Sequence, residues 1–328
     1  MKAKIMNKIS VIIPLYNDYK SIKFLLMMLT KQSLIPDEVI VVDSSDTKKS
    51  FNSILNDLNY ILVHKKIEKS YPGKARNIGI KASRNELIAL LDCRTFPNID
   101  WLKQMFENLN KNKKSIIFGS RKSLSENKFK NLLKNSTYGN EAVTSISGSI
   151  LLKKDLIKNE LYFNEKVRAG EDLLWIDEYK KSNLNIGYLI ESNHIYYGFP
   201  NTINSLLKKW FYYSMSNSFI PILKLQKYLY FFVFLLFSLF VIFNFFLTQN
   251  NLVNILNSIV QYILLIIIFL HFFYRSLIKP LNLGISLRKI LPLYWLQIYF
   301  VSLVLDIIKL PGSVFGFFNL IFKFYKKK

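Results

Sequence analysis

Acidic side chains recur where short apolar segments of this sequence end. Asp43 closes Glu38–Asp43 (EVIVVD), Asp92 closes Leu87–Asp92 (LIALLD), and the apolar run Ile9–Pro14 leads into Leu15-Tyr16-Asn17-Asp18. A helix-opening segment, Pro72-Gly73-Lys74-Ala75-Arg76-Asn77, falls between Asp43 and Asp92, and the acidic pair Glu171-Asp172 lies further on. One acid after a strand is commonplace and often serves as the N-cap of the next helix. Two that end apolar strands, with an arginine between them, suggest chemistry. A carboxylate so placed can take up a proton or hold a cation, and an arginine can grip phosphate with two parallel hydrogen bonds.

Such residues need a scaffold, and the hydropathy pattern supplies one. Ile9–Pro14, Glu38–Asp43, Tyr60–His64, Leu87–Asp92 and Ser115–Gly119 read as strands. Ser21–Thr30, Phe51–Leu58, Lys74–Ser83 and Trp101–Leu109 read as the helices between them. Continuous apolar strands alternating with helices imply a mostly parallel sheet covered on both faces, an α/β class. Ligands bind such sheets beyond the carboxyl ends of the strands, where these polar residues fall.

The rest of the chain has a different character. Of its 328 residues, 51% are hydrophobic and 15% aromatic, which excludes a disordered protein. A single cysteine, Cys93, excludes an intrachain disulfide. One Cys and three scattered His make a structural zinc site a poor fit. The formal charge is +23, and from residue 192 onward thirteen Lys/Arg face one acid, Asp306. That excess flanks long apolar runs, which points to anionic membrane lipids and not to nucleic acid. No formally charged residue occurs from Tyr228 to Tyr274. A crossing of about 30 Å takes roughly 20 residues, so this span fits two helices, near 228–247 and 252–273. A third apolar stretch, 290–310, is expected to end at Pro311-Gly312, with 313–325 a further crossing or interfacial piece. Arg275–Lys289 is expected to be cytoplasmic by its basic excess. With no signal-peptide-like segment before the first strand, residues 1–215 are expected to form a cytosolic domain and 216–328 an all-α membrane region.

Five segments in order resemble family 2 glycosyltransferases of the GT-A fold: SVIIPLYN (10–17), DEVIVVDSSD (37–46), PGKARNIGI (72–80), LIALLDCRTFPNIDWL (87–102), and SGSILLKKDLI with FNEKVRAGEDLLW (147–175). The resemblance covers about residues 8–215 and implies sugar transfer from a nucleotide-diphospho-sugar to an acceptor hydroxyl, with inversion. It implies that Asp43 holds the base, helped by the Pro14, Tyr16 and Asn17 loop, with Arg76 near the nucleotide. Asp92 matches the first acid of the family's DxD motif, the ligand of a divalent cation, Mg or Mn. Asp172 is implied as catalytic base, with Glu171 orienting it or the acceptor. The helical hairpin resembles members that build cell-surface polysaccharides or glycolipids, which implies a lipid-linked or glycan acceptor.

Arg94 departs from that pattern, since the family often has a second acid there. Arg94 is expected to contact the diphosphate and to weaken metal dependence. The Gln-x-x-Arg-Trp signature of processive synthases is missing, so single-sugar transfer is expected. Transfer onto a polyprenyl phosphate, or a catalytically silent membrane scaffold of the same fold, are the alternatives. The basic-aromatic stretch Lys208-Lys209-Trp210 fits either a lid or a helix at the headgroup layer. His64, His194 and Cys93 are read as structural.

Overall fold

A computed structural model of the chain describes residues 8–47, 58–189, 191–200, 202–246 and 251–322. In chain order the elements are β1 (Ile9–Leu15), α1 (Tyr19–Leu29), β2 (Glu38–Asp43), β3 (Ile61–Lys66), α2 (Pro72–Ala82), β4 (Leu87–Leu90), β5 (Thr95–Pro97), α3 (Trp101–Lys111), β6 (Ile116–Ser123) and α4 (Lys128–Thr137). There follow β7 (Val143–Leu152), α5 (Lys153–Lys158), α6 (Glu171–Lys181), β8 (Ile186–Tyr188), β9 (His194–Tyr196), α7 (Ile203–Ser218), α8 (Lys224–Phe246) and α9 (Asn251–Phe273). A π-turn (Tyr274–Ile278), α10 (Lys279–Asn282), α11 (Leu287–Ile290) and α12 (Tyr294–Phe322) complete the described chain. The helix expected at Phe51–Leu58 lies outside the described residues but for Leu58.

The chain forms two compact units. Among the described residues, those up to Leu124 and Ala142–Gly198 make the first; Ser125–Glu141 and residues 199–322 make the second. The border thus lies earlier than residue 215. The reason is that α7 packs along α12, and α4, inserted between β6 and β7, docks on α12 and on the turn before it.

In the first unit the sheet runs β3-β2-β1-β4-β7-β6-β9-β5, with β8 also pairing β6. The β3-β2-β1-β4 half is parallel, and β7 enters antiparallel between β4 and β6. Alternate residues go to opposite faces, as the strand period of two requires. Val11, Ile13, Val39 and Val41 pack on α1 and α3 through Leu25, Leu26, Trp101 and Met105. Ile12, Ile40, Val42, Ile88 and Leu90 face α2, α5 and α6 through Ile80, Leu156, Trp175 and Tyr179. Burial on both faces explains why these strands are apolar throughout. The strand expected to reach Asp92 stops at Leu90, because the chain turns after Leu91 toward β5.

In the second unit α8, α9 and α12 are each long and apolar enough to cross a membrane by length and composition. Asn244 and Asn257 exchange amide hydrogen bonds of 3.2 and 3.1 Å between α8 and α9. The break expected at Pro311-Gly312 does not occur, and α12 is one helix of 29 residues. Packing against α7 holds it through the proline: Ser214 donates to the Lys309 carbonyl at 2.6 Å, and only glycine at 312 lets the α7 backbone approach. Neighbouring helices commonly make such prolines tolerable in apolar surroundings.

Candidate active site

Strand register brings the chemically interesting residues to one sheet edge. Leu15 pairs with Asp43, and Asp43 with Lys66, so β1, β2 and β3 end level. Ile12 pairs with Leu90, which puts the turn through Asp92 beside the Pro14–Asn17 loop.

Arg76 stands at the centre. Its Nη2 donates to Asp92 Oδ1 at 2.8 Å and its Nη1 to Glu171 Oε1 at 2.9 Å. It is buried, and its guanidinium lies over the Phe163 ring at 5.3 Å. Phe163 in turn stacks on Trp175 of α6, with centroids 4.4 Å apart. The neighbouring residues of the α2 motif fix the same assembly. Asn77 exchanges hydrogen bonds with the Phe163 backbone at 2.9 Å, and a Cβ on Gly73 would sit 2.3 Å from the Asn164 carbonyl oxygen. Burial works against the Arg76 charge, but Asp92 and Glu171 outweigh it and keep the guanidinium protonated.

Glu171 and Asp172 open α6, immediately after Gly170 in a left-handed turn (φ 85°). Burial, then the adjacent Asp172, push the Glu171 carboxyl up to about 7 despite Arg76. Asp172 is half-buried. Among the described residues its carboxylate accepts only from the Leu173 N–H of its own helix, at 2.8 Å. It remains available to another molecule.

The Asp92 turn is held from beneath. The Asp92 N–H donates to Ser147 Oγ at 3.0 Å, and Thr95 Oγ1 donates to the Asp92 carbonyl at 2.6 Å. Next to Ser147, Gly148 adopts φ 79° and its carbonyl accepts from Trp101 Nε1 and Asn193 Nδ2. A Cβ there would meet His194 Nδ1 at 2.5 Å. His194 itself is structural, held neutral because burial, then Arg121, push it down to about 3.

Asp43 lies deeper than the motif suggests. It is fully buried, and its carboxylate accepts from Tyr19 Oη (2.6 Å) and the Ser45 N–H (2.9 Å), with His64 Nε2 at 3.1 Å and Lys66 Nζ at 3.6 Å. Burial alone would raise its carboxyl, but the hydrogen bonds from Ser45 and Tyr19, with His64, hold it below the usual carboxylate range. The exposed rim above it is formed by Tyr16, Asn17 and Asp46. Asp46 Oδ2 accepts from Tyr16 Oη at 2.9 Å and Asn17 Nδ2 at 2.7 Å, and the Asn17 N–H donates to Ser45 Oγ at 2.7 Å. Asn17 takes a left-handed conformation (φ 52°), which asparagine tolerates better than most residues.

Arg94 is paired with Asp18, the N-cap of α1. Burial would raise the Asp18 carboxyl, yet hydrogen bonds from Arg94 and Ser21 hold it low. Cys93 is a packing residue whose thiol burial pushes up. Sequence reasoning missed Tyr19, His64 and Lys66 around Asp43, Asp46 on the rim, Asp18 beside Arg94, and Ser147 under Asp92. Asp46 and Ser147 lay inside the family-like motifs, Asp18 in the first strand-end loop, and His64 was read as structural; Tyr19 and Lys66 carried no signal of their own.

Among the described residues no three His, Cys, Asp or Glu are grouped to hold a metal ion. Asp92 offers one carboxylate oxygen, Oδ2, with no hydrogen bond among the described residues. That suits a hard cation that takes its remaining ligands from phosphate and water, and does not suit an all-protein cage.

The model of the family described as "Glycosyl transferase family 2" matches residues 10–170. Those residues, just under half of the chain, form a domain that matches that family. Its mixed sheet is flanked by helices, and the motif acids Asp92 and Glu171 meet through Arg76. The chain is 28% identical over 182 residues to the poly(ribitol-phosphate) beta-N-acetylglucosaminyltransferase TarS of Staphylococcus aureus, covering 52% of this chain and 32% of that protein. It is 28% identical over 131 residues to chondroitin synthase of Escherichia coli, 39% of this chain and 19% of that protein. The chain therefore spans a third or less of the length of these relatives. A crystal structure of S. aureus TarS 1-349 in complex with UDP-GlcNAc superposes with TM-score 0.47 at 24% identity, covering 64% of this chain and 66% of that one.

Proposed function

We infer that this family 2 member is a membrane-anchored inverting glycosyltransferase. It moves a sugar from a nucleotide-diphospho-sugar to a hydroxyl of a lipid-linked acceptor in cell-surface polysaccharide or glycolipid synthesis. The Arg76 bridge carries this reading. It joins Asp92, just past the end of one strand, to Glu171, beside Asp172 at a helix start, through one guanidinium.

In this reading the base of the donor lies on the Tyr16, Asn17 and Asp46 rim, which Asp43 stiffens from below through Ser45. Pro14 is the next-to-last residue of the strand beneath that rim. The diphosphate lies toward Asp92, where Asp92 Oδ2 would hold Mg or Mn. The ion's chemistry is neutralisation of the charge that builds on the departing diphosphate. Arg94 can leave Asp18 for phosphate, which lessens the demand on the metal. Asp172 accepts the acceptor's proton as the new bond forms. Arg76 keeps Glu171 from crowding it and holds both carboxylates in register.

Asp172→Asn tests the base directly. With purified full-length protein, a donor found by thermal-shift screening and a hydroxyl acceptor, turnover is expected to fall about 10²–10⁴-fold with the fold unchanged. Near-normal turnover would instead identify an acceptor whose oxygen is already ionised, such as a polyprenyl phosphate. Loss of all transfer in EDTA with full recovery in Mn²⁺ would refute the weakened metal dependence.

A further inference from the structure

Three helices of the second unit have the length and apolarity of membrane spans, yet α12 does not run alongside the other two. α8 and α9 form an antiparallel hairpin, tied near its closed end by the Asn244–Asn257 pair. At its open end, Tyr230 of α8, His271 of α9 and Arg275 of the π-turn all reach the same residue of α12, Asp306. The distances are 2.8 Å from Tyr230 Oη, 3.1 Å from His271 Nε2 and 2.8 Å from Arg275 Nε. Those three residues therefore mark one level of the hairpin.

The ring contacts of α12 with the hairpin fall at that same level. Trp295 and Tyr299 meet Phe272, while Phe317 stacks on Phe231 with centroids 3.7 Å apart. Gly316 lies against Lys227. From Trp295 to Phe317 the helix advances about 33 Å. The hairpin residues it meets in these contacts lie within 227–231 and 271–275. A helix parallel to the hairpin would meet residues progressively further along it. This one crosses the open end at a steep angle.

Charge agrees with the geometry. Asp306 and Lys309 lie near the middle of α12, so a transmembrane α12 would carry both to the centre of the hydrocarbon, where charges are rare and costly. Laid across the hairpin mouth, the same helix keeps Asp306, Lys309, Arg275 and Lys279 at headgroup depth. Its sides also differ. Ile298, Ser302, Leu305, Gly312, Gly316 and Asn319 are buried at spacings of three, four and seven. Leu296, Phe300, Ile307, Phe315 and Phe318 are exposed on the other side, an apolar face.

We propose that Tyr294–Phe322 does not cross the membrane but lies in its plane, on the face where the α8–α9 hairpin begins and ends. Its exposed apolar side is seated in the boundary between acyl chains and headgroups. The partner is the bilayer itself, with the surplus of Arg275, Lys279 and Lys309 over Asp306 facing lipid phosphate. The hairpin is then the two-pass anchor, and the chain leaves α12 on the face where α8 starts. The proposal concerns the anchor alone and stands or falls independently of the transferase reading.

Single cysteines in a Cys93→Ser background, in the full chain reconstituted into sealed vesicles, test it with a membrane-impermeant maleimide. Leu225→Cys and Asn251→Cys define the two faces. Leu293→Cys and Phe322→Cys are both expected to label with the Leu225→Cys pattern. If 293 and 322 fall into opposite classes, or both follow 251, the in-plane placement is wrong. Nitroxides at Leu296, Ile307 and Phe318 supply a second readout from the same membranes. Their depths are expected to agree within about 5 Å of one another near the headgroup boundary. A steady gradient of roughly 30 Å from 296 to 318 would overturn the proposal.

Discussion

Arg76 and Asp306 are opposites in charge bookkeeping. In the first unit one buried cation is shared by two carboxylates, Asp92 and Glu171. In the second, one carboxylate is shared by Arg275, Lys309 and His271, with Tyr230 as a further donor. Neither cluster exists chiefly for stability, since buried ion pairs often lose as much in desolvation as they gain in attraction. The sign of what is left over differs. Around Arg76, with Asp172 beside it, negative charge remains, which suits an arriving cation or a proton to be taken up. Around Asp306, positive charge remains, which suits lipid phosphate.

The sharpest way to break this contrast is Arg76→Met. It strands two carboxylates, one of them buried, and is expected to cost about 3–5 kcal/mol of stability. Turnover is expected to fall at least about 10³-fold with it, because both the metal-side and base-side acids lose their register. A denaturant melt alongside turnover would check both; a variant within tenfold of wild type would show that the bridge is incidental.

Asp306→Asn is expected to do less, about 2–3 kcal/mol, because the side chain keeps some access to solvent and the asparagine still accepts from Tyr230. Thermal unfolding in detergent measures it, and transfer to a soluble acceptor is expected to stay within about twofold. A large loss of that transfer would mean that the two clusters are not separable.

The smallest effect is one of pH. Glu171 has a folded pKa of about 7, above that of an unfolded carboxyl, so the folded state binds its proton more tightly. Its contribution is fully present below the unfolded value of about 4.3 and is lost as pH rises through 7. Wild-type stability is expected to slope downward over that window, and Glu171→Gln to flatten the slope. Asp43 works the other way. Its lowered carboxyl stabilises above the unfolded value, and that support disappears as acid protonates it.

Much of the first unit could be read from its residues. Glu38–Asp43 has the bounds expected of it, because a strand buried on both faces must be apolar throughout and stop where the polar loop starts. Leu87–Leu90 proved two residues shorter, since apolarity continues through Leu91 while the backbone has already turned. The two long apolar helices α8 and α9 were equally legible from 47 uncharged residues in a row. The helix expected to end at Pro311 did not, because what holds it, Ser214 on α7, lies 95 residues earlier in the chain.

The site divides in the same way. Asp43, Asp92, Arg76, Glu171 and Asp172 could be singled out by type and position, but not their mutual arrangement. That Arg94 meets Asp18 and not another strand-end group, and that Asp43 is closed over by Tyr19 and His64, depend on strand register.

Chemistry-bearing residue types, the apolar period and the long uncharged span are local properties, so the amino-acid order alone determined an α/β unit with acids at its strand ends followed by apolar helices. Which acid shares which arginine, and which apolar helix crosses which, depend on groups up to about a hundred residues apart meeting at hydrogen-bond distance. Only the folded chain decided those, because a contact of a few ångströms depends on every element between the two residues being in place.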